Sequence, residues 1–452
     1  MANRLTRLLF DPVHADPDRV PARFRFAGDS RWWTIPLGAG ILLLAVGLAV
    51  LLGDMQRFLF AYLIGWSFCV SISIGSLFFV LIQHITKARW STTIRRIPET
   101  LAASFPLLAI AGIPILLGMY DLYHWTHKEL FDPTSPEYDW LVAGKKEYLN
   151  TPFFLVRYVL YFAIFSWIGG KLYTLSVRND TDPNPETTLA LRKVSAYGIP
   201  LCGVSTAFAS YDWIMSTDPH WFSTMFGIYF FAGCFLGALA FMAFMALLLR
   251  KGGMLTDIVT TEHTQDVGKF MFGFVVFWTY IAFSQYMLYW YANLPETIIW
   301  FHKRFDGGWA TVAWSLLIFN FILPFILLLP RASKRIAPVL ATMAVWVLVM
   351  HWVDLWWITM PAMYVSYDEA YAAMQVGSDL IASLDVVPPS DGEAASGFTV
   401  HVVQPHLPLA EMAVWLGLFG LYVGAFLLRL KRHALTPYGD PYFADSLRFE
   451  NV

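Results

Sequence analysis

The residues of this chain with the most chemistry to offer are acids and histidines set inside apolar runs. Asp212 closes one such run in "SYDWIMSTDPHWFSTMFG" (210–227), a stretch with two aspartates, one histidine and two tryptophans but no lysine or arginine. His351 and Asp354 stand three apart in "HWVDLWWI" (351–358), and Asp121 and His124 stand three apart in "YDLYHWTH" (120–127). Residues at i and i+3 share a helix face, so each pair could hydrogen-bond or share a proton. A charge near mid-bilayer costs about 2.5–3.5 kcal/mol on insertion scales, so such residues face a bundle interior and mark proton or substrate paths. Tyr280, Gln285 and Tyr286 add hydrogen-bonding groups on a neighbouring apolar run. The other reading is helix-to-helix glue, each acid satisfied by a Tyr, Trp or Asn of a neighbour. In "STDPHW" the Asp218-Pro219 pair reads as a tight turn, with Ser223-Thr224 capping the next helix.

These residues need a membrane-embedded scaffold. The chain is 57% hydrophobic and 14% charged, where soluble domains carry about 25% charged residues. Runs long enough to span a membrane, about 20 residues each, are expected at roughly 33–53, 58–83, 98–120, 152–173, 194–215, 223–249, 268–292, 309–329, 338–360 and 407–428. The expected fold is therefore an all-α integral membrane protein of ten transmembrane helices. An even number puts both termini on one side. That side gathers Arg4, Arg7, Arg95, Arg96, Arg250, Lys251, Arg331, Lys334 and Arg429, among others; the opposite side holds Arg57, Lys128, Lys145, Lys146, Lys303 and Arg304. The bias places both termini in the cytoplasm. The loop 361–406 has no lysine or arginine, which suits translocation. Its start, "YVSYDEAYAAM", reads as a short surface helix.

Span five ends in "SYDWIM" and span nine carries "HWVDLWWI", both running outward, which hints at an internal duplication. The organisation expected is a tail (1–32), a first transmembrane helix (33–57), two four-helix bundles (58–216 and 217–360), an outer loop (361–406), and a last helix with its tail (407–452). The first and last helices are expected at the periphery.

Three cysteines, all in apolar runs, exclude a disulfide framework, CxxC zinc sites, CxxCH haem attachment and cysteine-held iron–sulfur clusters. Of eleven histidines only His351 reads as deep, so paired bis-histidine haems cannot be assembled. There is no Walker A loop, Gly-x-Gly-x-x-Gly fingerprint or HExxH motif. The charges form no basic patch, so no nucleic-acid partner is expected; lipids are.

Two stretches, "YDWIMSTDPHWFSTMFGIYFFAG" (211–233) and "FWTYIAFSQYMLYWYANLPETIIWF" (277–301), resemble the second, smaller NrfD/polysulfide-reductase-type membrane subunit of alternative complex III, a bacterial quinol:cytochrome c oxidoreductase. The resemblance implies two four-helix bundles in the bacterial inner membrane and no cofactor bound by this chain. Haems and Fe–S clusters would reside in partners: a second NrfD-like membrane subunit, pentahaem and monohaem cytochromes c, an iron–sulfur protein and small membrane subunits. Quinol or menaquinol is the small molecule the resemblance brings with it. In the larger relative, a histidine at the outer end of span three and acids on the next spans are thought to bind quinol. Asp121, His124 and Asp212 fall in comparable places here, but span four offers Arg157 and no acid. That departure favours assembly or proton conduction over a quinol site. The expected roles are thus proton-path or quinol-site groups at Asp121, His124, Asp212, Tyr280, Gln285, Tyr286, His351 and Asp354. Two other classes stay open: a secondary transporter with buried carboxylates, and a purely structural anchor for peripheral redox subunits.

Overall fold

A computed structural model describes residues 20–305, 307–363, 405 and 407–451, with helices and turns and no strand among the described residues. The long helices are α1 (Arg31–Val50), α2 (Met55–Ile85), a broken α3 (Arg96–Ala102 and Phe105–Leu117), α4 (Thr151–Thr181), α5 (Pro185–Trp213), α6 (Met225–Lys251), α7 (Thr261–Ala292), α8 (Gly307–Leu328), α9 (Ala337–Thr359) and α10 (Leu409–Leu430). Eight are long and apolar enough to cross a membrane, or nine if the two pieces of α3 count as one span. This is a multi-pass helical membrane protein. α5 has the length but is diluted by Ser, Thr and Gly and interrupted by Pro200. The expected helix at the start of loop 361–406 lies outside the described residues.

The break in α3, between Ala102 and Phe105, follows from Pro106, and Pro114 interrupts the second piece again at Gly112. A proline lacks the N–H of the helical ladder and clashes with the preceding turn. The two pieces of α3 meet at 42°. Inside hydrocarbon the loosened carbonyls need other donors. Trp66 Nε1 donates to Leu108 O at 2.9 Å, Tyr158 Oη to Ala109 O at 2.8 Å and Tyr62 Oη to Ala111 O at 2.7 Å.

α2 is the central helix. It packs against α3, α5, α6, α9 and α10, and its apolar stretch is wholly buried, as a helix apolar on every face must be. α2 meets α6 at Gly75, where an added Cβ would lie 2.0 Å from the carbonyl oxygen of Cys234. α1 lies outermost on α10, and Gly40, Gly47, Gly417 and Gly420 let the two backbones approach closely. α10 packs on both α1 and α2. Its Trp415 packs on Phe68 of α2 at 5.3 Å, and its Tyr422 hydroxyl meets Ser73 of α2 at 2.6 Å.

Both described chain ends lie at one end of the bundle. Leu435 N donates to Phe24 O at 2.9 Å. The C-terminal segment is tied there through charges the sequence assigned to a solvated loop. Arg95 pairs with Glu99 at 2.9 Å and with Asp440, and Arg96 pairs with Asp180 at 2.5 Å. Both arginines are buried.

Gly75→Ala is expected to destabilise the fold by about 1–3 kcal/mol, the usual cost of forcing atoms into a packed core. Thermal unfolding in detergent checks this against Gly38→Ala, where a Cβ meets nothing within 4 Å and no loss is expected.

Candidate functional site

Two buried aspartates at similar places in the bundle are treated in opposite ways. Asp212, at the end of α5, is 1% exposed. Arg157 of α4 grips it with a fork: Nε donates to Oδ2 at 2.7 Å and Nη2 to Oδ1 at 2.9 Å. Tyr161 Oη adds a third donor at 2.8 Å. The guanidinium is itself wedged against the rings of Tyr148 at 3.9 Å and Phe153 at 4.3 Å, and its Nη1 donates to Tyr148 O at 2.9 Å. Bidentate pairing of this kind is strong and directional. It makes Asp212 an ion-paired tie between α4 and α5 rather than an open proton acceptor.

Asp354 of α9 is 2% exposed and has a different first contact set. The Tyr229 hydroxyl of α6 donates to Oδ1 and the Trp278 indole of α7 to Oδ2, the latter at 3.2 Å. Both donors are neutral. His351, one turn earlier on α9, does not share a proton with Asp354 as the spacing suggested. Its Nε2 meets Ser71 Oγ of α2 at 2.8 Å, and its ring lies over Gly233 and Gly237 of α6. The i,i+3 pair fans out to different neighbours because α6 is close enough to separate them. Ser67, Ser71, Ser73 and Ser76 are buried along α2, each at most 1% exposed, with Ser71 facing His351 of α9 and Ser73 facing Tyr422 of α10.

The tyrosine hydroxyl and indole that hold Asp354 also form part of a cavity wall. The cavity, about 350 Å³, lies between α7, the helix Pro295–Phe305, α8 and α9, and Gln285 and Tyr286 line it as well. Tyr280 is not part of it: its side chain is 64% exposed on the outer face of α7. The spacing of Asp121 and His124 does not give a shared helix face either. The helix Met119–Leu122 ends before His124, and Tyr123 is extended at φ −122°, ψ 104°. Asp121 is exposed, and His124 lies in a short 3-10 turn, its ring 5.2 Å from that of His127.

The "STDPHW" turn is a hub, more than the tight connection expected of it. Asp218 is buried and accepts from Lys303 at 3.3 Å, while His220 pairs with Asp139 and Lys145 Nζ donates to Pro219 O at 2.6 Å. Trp221 stacks on Trp300 at 4.1 Å. Next to it Arg304, fully buried, donates to Trp300 O at 2.9 Å and Ile358 O at 2.6 Å. Sequence reading treated Lys303 and Arg304 as loop cations. The aromatics at 300, 301 and 305, spaced one helical turn apart around them in "WFHKRF", were the available sign that one face of that helix is buried.

Among the described residues no group of three or more His, Cys, Asp or Glu is placed to hold a metal ion. No protein-family model matches the sequence, and no curated protein matches it.

Two outcomes follow from these charges. Arg157→Leu strands Asp212 as an unpaired buried charge and is expected to cost about 3–5 kcal/mol, most of it recovered in the Arg157→Leu/Asp212→Leu double variant; a double-mutant cycle of thermal unfolding in detergent reads this. Burial alone would raise the Asp218 carboxyl, but Lys303, then His220 and Arg304, hold it down at about 2, below its ordinary 3.8. A depressed carboxyl stabilises the fold above pH 4 and loses that contribution as pH falls towards 2. Asp218→Asn is therefore expected to flatten the melting-temperature profile between pH 4 and 2, removing about 2 kcal/mol of acid-sensitive stability.

Proposed function

We propose that this chain is a membrane subunit of a quinol-oxidising respiratory complex of the alternative complex III type, and that it moves protons through its helical interior. It would sit in the bacterial inner membrane with ten spans and both termini cytoplasmic. It would bind no redox group itself and would work beside a second NrfD-like subunit, multihaem and monohaem cytochromes c and an iron–sulfur protein. One observation carries the proton role: Asp354 is buried among neutral donors, whereas Asp212 is clamped by a cation. A carboxyl without a fixed cation can take and release a proton at modest cost, and intramembrane acids of this kind serve as relays. His351, with Ser71 and the serines of α2, supplies further exchange groups deeper in the bundle. The task is energetically sensible, since one charge crossing 100 mV is worth about 2.3 kcal/mol.

A second reading, a secondary transporter, is favoured by two interrupted helices: the bent α3 and the π-helical turn Leu317–Ile322 inside α8. Broken helices are where transporters build their sites.

Purification of the tagged chain from native membranes in mild detergent separates the two. Haem proteins and an iron–sulfur protein are expected to accompany it; a chain that emerges alone and colourless overturns the complex reading in favour of transport. Within the purified complex, Asp354→Asn is expected to lower proton movement per electron at least about tenfold, in line with losing one positioned proton carrier. Unchanged proton movement would leave the chain a structural anchor.

A further inference from the structure

A groove between α6 and α7 has the parts of a phospholipid site. Lys269, Phe270, Gly273, Phe274 and Phe277 of α7 form its length and Phe231 of α6 its far wall, around a space of about 440 Å³. Steps of three and four residues put the α7 positions on one helix face. From Lys269 to Phe277 that face runs about 12 Å, most of the hydrocarbon depth of one leaflet. The walls are braced from behind: Phe274 stacks on Phe235 of α6 at 4.2 Å, and Phe231 packs on Phe78 of α2 at 4.8 Å. The floor is low at Gly273, where an added Cβ meets nothing within 4 Å. Apart from Lys269, the groove is lined by apolar residues alone.

The mouth is charged. Lys269 is half-exposed, and an ammonium has three N–H donors. Asp266 takes one and Asn451 Oδ1 takes a second at 2.8 Å, which leaves one for an outside acceptor. Asn451 O also accepts from Arg331 Nη2 at 3.3 Å, so an exposed guanidinium stands beside the ammonium. Lys334 is a third cation here: burial first, and then the charge of Lys269, lowers its ammonium below the ordinary range. Glu262, the next acid along α7, is engaged by Arg335 at 2.6 Å. An anion at the mouth therefore relieves repulsion among like charges. Trp90 stacks on Phe270 at 5.9 Å, and tryptophans gather where hydrocarbon meets headgroups. The mouth thus lies at the membrane boundary, on the side of the described chain ends.

We infer that this groove holds an anionic phospholipid of the phosphatidylglycerol kind, its phosphate accepting from Lys269 and Arg331 and one acyl chain lying over Gly273 between the phenylalanines. Basic residues set at the membrane boundary between helices favour anionic headgroups, by about fivefold for each cation engaged. A soluble phosphate leaves the groove empty, and an uncharged apolar occupant leaves the cations unmet. The headgroup joins α7 to the helix Arg331–Arg335 and to the C-terminal segment at Asn451, and the acyl chain seals α6 against α7.

The test uses the full chain in phosphatidylcholine nanodiscs. Two probes carry the same diazirine acyl chain at the same low fraction, one on phosphatidylglycerol and one on phosphatidylcholine, and mass spectrometry maps the labelled peptides. The phosphatidylglycerol probe is expected to label 269–277 and the α6 peptide holding Phe231 at least about fivefold more than the phosphatidylcholine probe. Lys269→Gln should bring the two probes within about twofold of each other, and Lys269→Arg should keep the preference. Gly273→Leu, which fills the groove from an exposed helix face, should remove label from 269–277 for both probes with helix content by circular dichroism unchanged. Millimolar glycerol 1-phosphate should not displace the probe. Equal labelling by the two probes, an undiminished preference in Lys269→Gln, unchanged labelling in Gly273→Leu, or displacement by glycerol phosphate would overturn the inference. If Lys269→Gln does not fold, Arg331→Gln reads the same preference at an exposed side chain: a fall of about twofold or more supports the site, and no change overturns it. The result is independent of which proteins accompany the chain from native membranes.

Discussion

Inside hydrocarbon no water completes a hydrogen bond, so each polar group in this bundle has to find its partner on a neighbouring helix. That requirement explains where the helices meet. Three carbonyls of α3 beside Gly112 accept from Trp66, Tyr158 and Tyr62, and these donors dock α3 against α2 and α4. Tyr422 of α10 meets Ser73 of α2, and Ser71 of α2 meets His351 of α9. Apolar packing is non-directional, and lipid tails compete for it equally well. The polar contacts supply the register, and close approaches such as Gly75 on Cys234 O set the distance.

The same requirement divides the acids into two kinds. Asp212, Asp180 and Asp440 are each met by an arginine, and the resulting pairs behave as ties between segments far apart in the chain. Asp354 is met by a phenol and an indole. Protonating an ion-paired carboxylate would leave its cation buried and unpaired, at a large cost. A carboxyl held by neutral donors keeps both states within reach. The contrast between two aspartates in similar aromatic surroundings is therefore one of partners and not of burial, which is 1% and 2% exposure respectively.

At the end opposite the chain termini, charges do for the loops what the Arg95 and Arg96 cluster does for the tail. Asp218, His220 and the Pro219 carbonyl gather Lys303, Asp139 and Lys145 into one junction. The junction seats the helix Pro295–Phe305, whose Trp300, Phe301 and Phe305 then wall the cavity beside Asp354. The turn at 218–220 and the cavity are thus linked through one short helix, although neither residue set is adjacent in sequence.

Much of this was legible in the sequence, because hydropathy and charge act locally. Long apolar runs located the helices, though α4, α5 and α7 extend further at one end than expected, Pro106 and Pro114 marked the irregular span, and Asp212 and Asp354 marked the interior. Pairing did not follow. Asp212 and Arg157 are separated by 55 residues, and nothing along the chain says that they face each other. His351 and Asp354 have the spacing of a pair, yet close packing of α6 sends them to different partners. Asp121 and His124 have the same spacing, but the helix ends between them. Tyr280 and Gln285 share one helix, and only the packing of α7 decided that one faces lipid and the other a cavity. Sequence by itself determined the long apolar helices, because those depend on each residue's own transfer free energy. Which acid holds a cation, which holds neutral donors and which glutamine lines a pocket were decided by tertiary structure, because a hydrogen bond needs a second residue within about 3 Å.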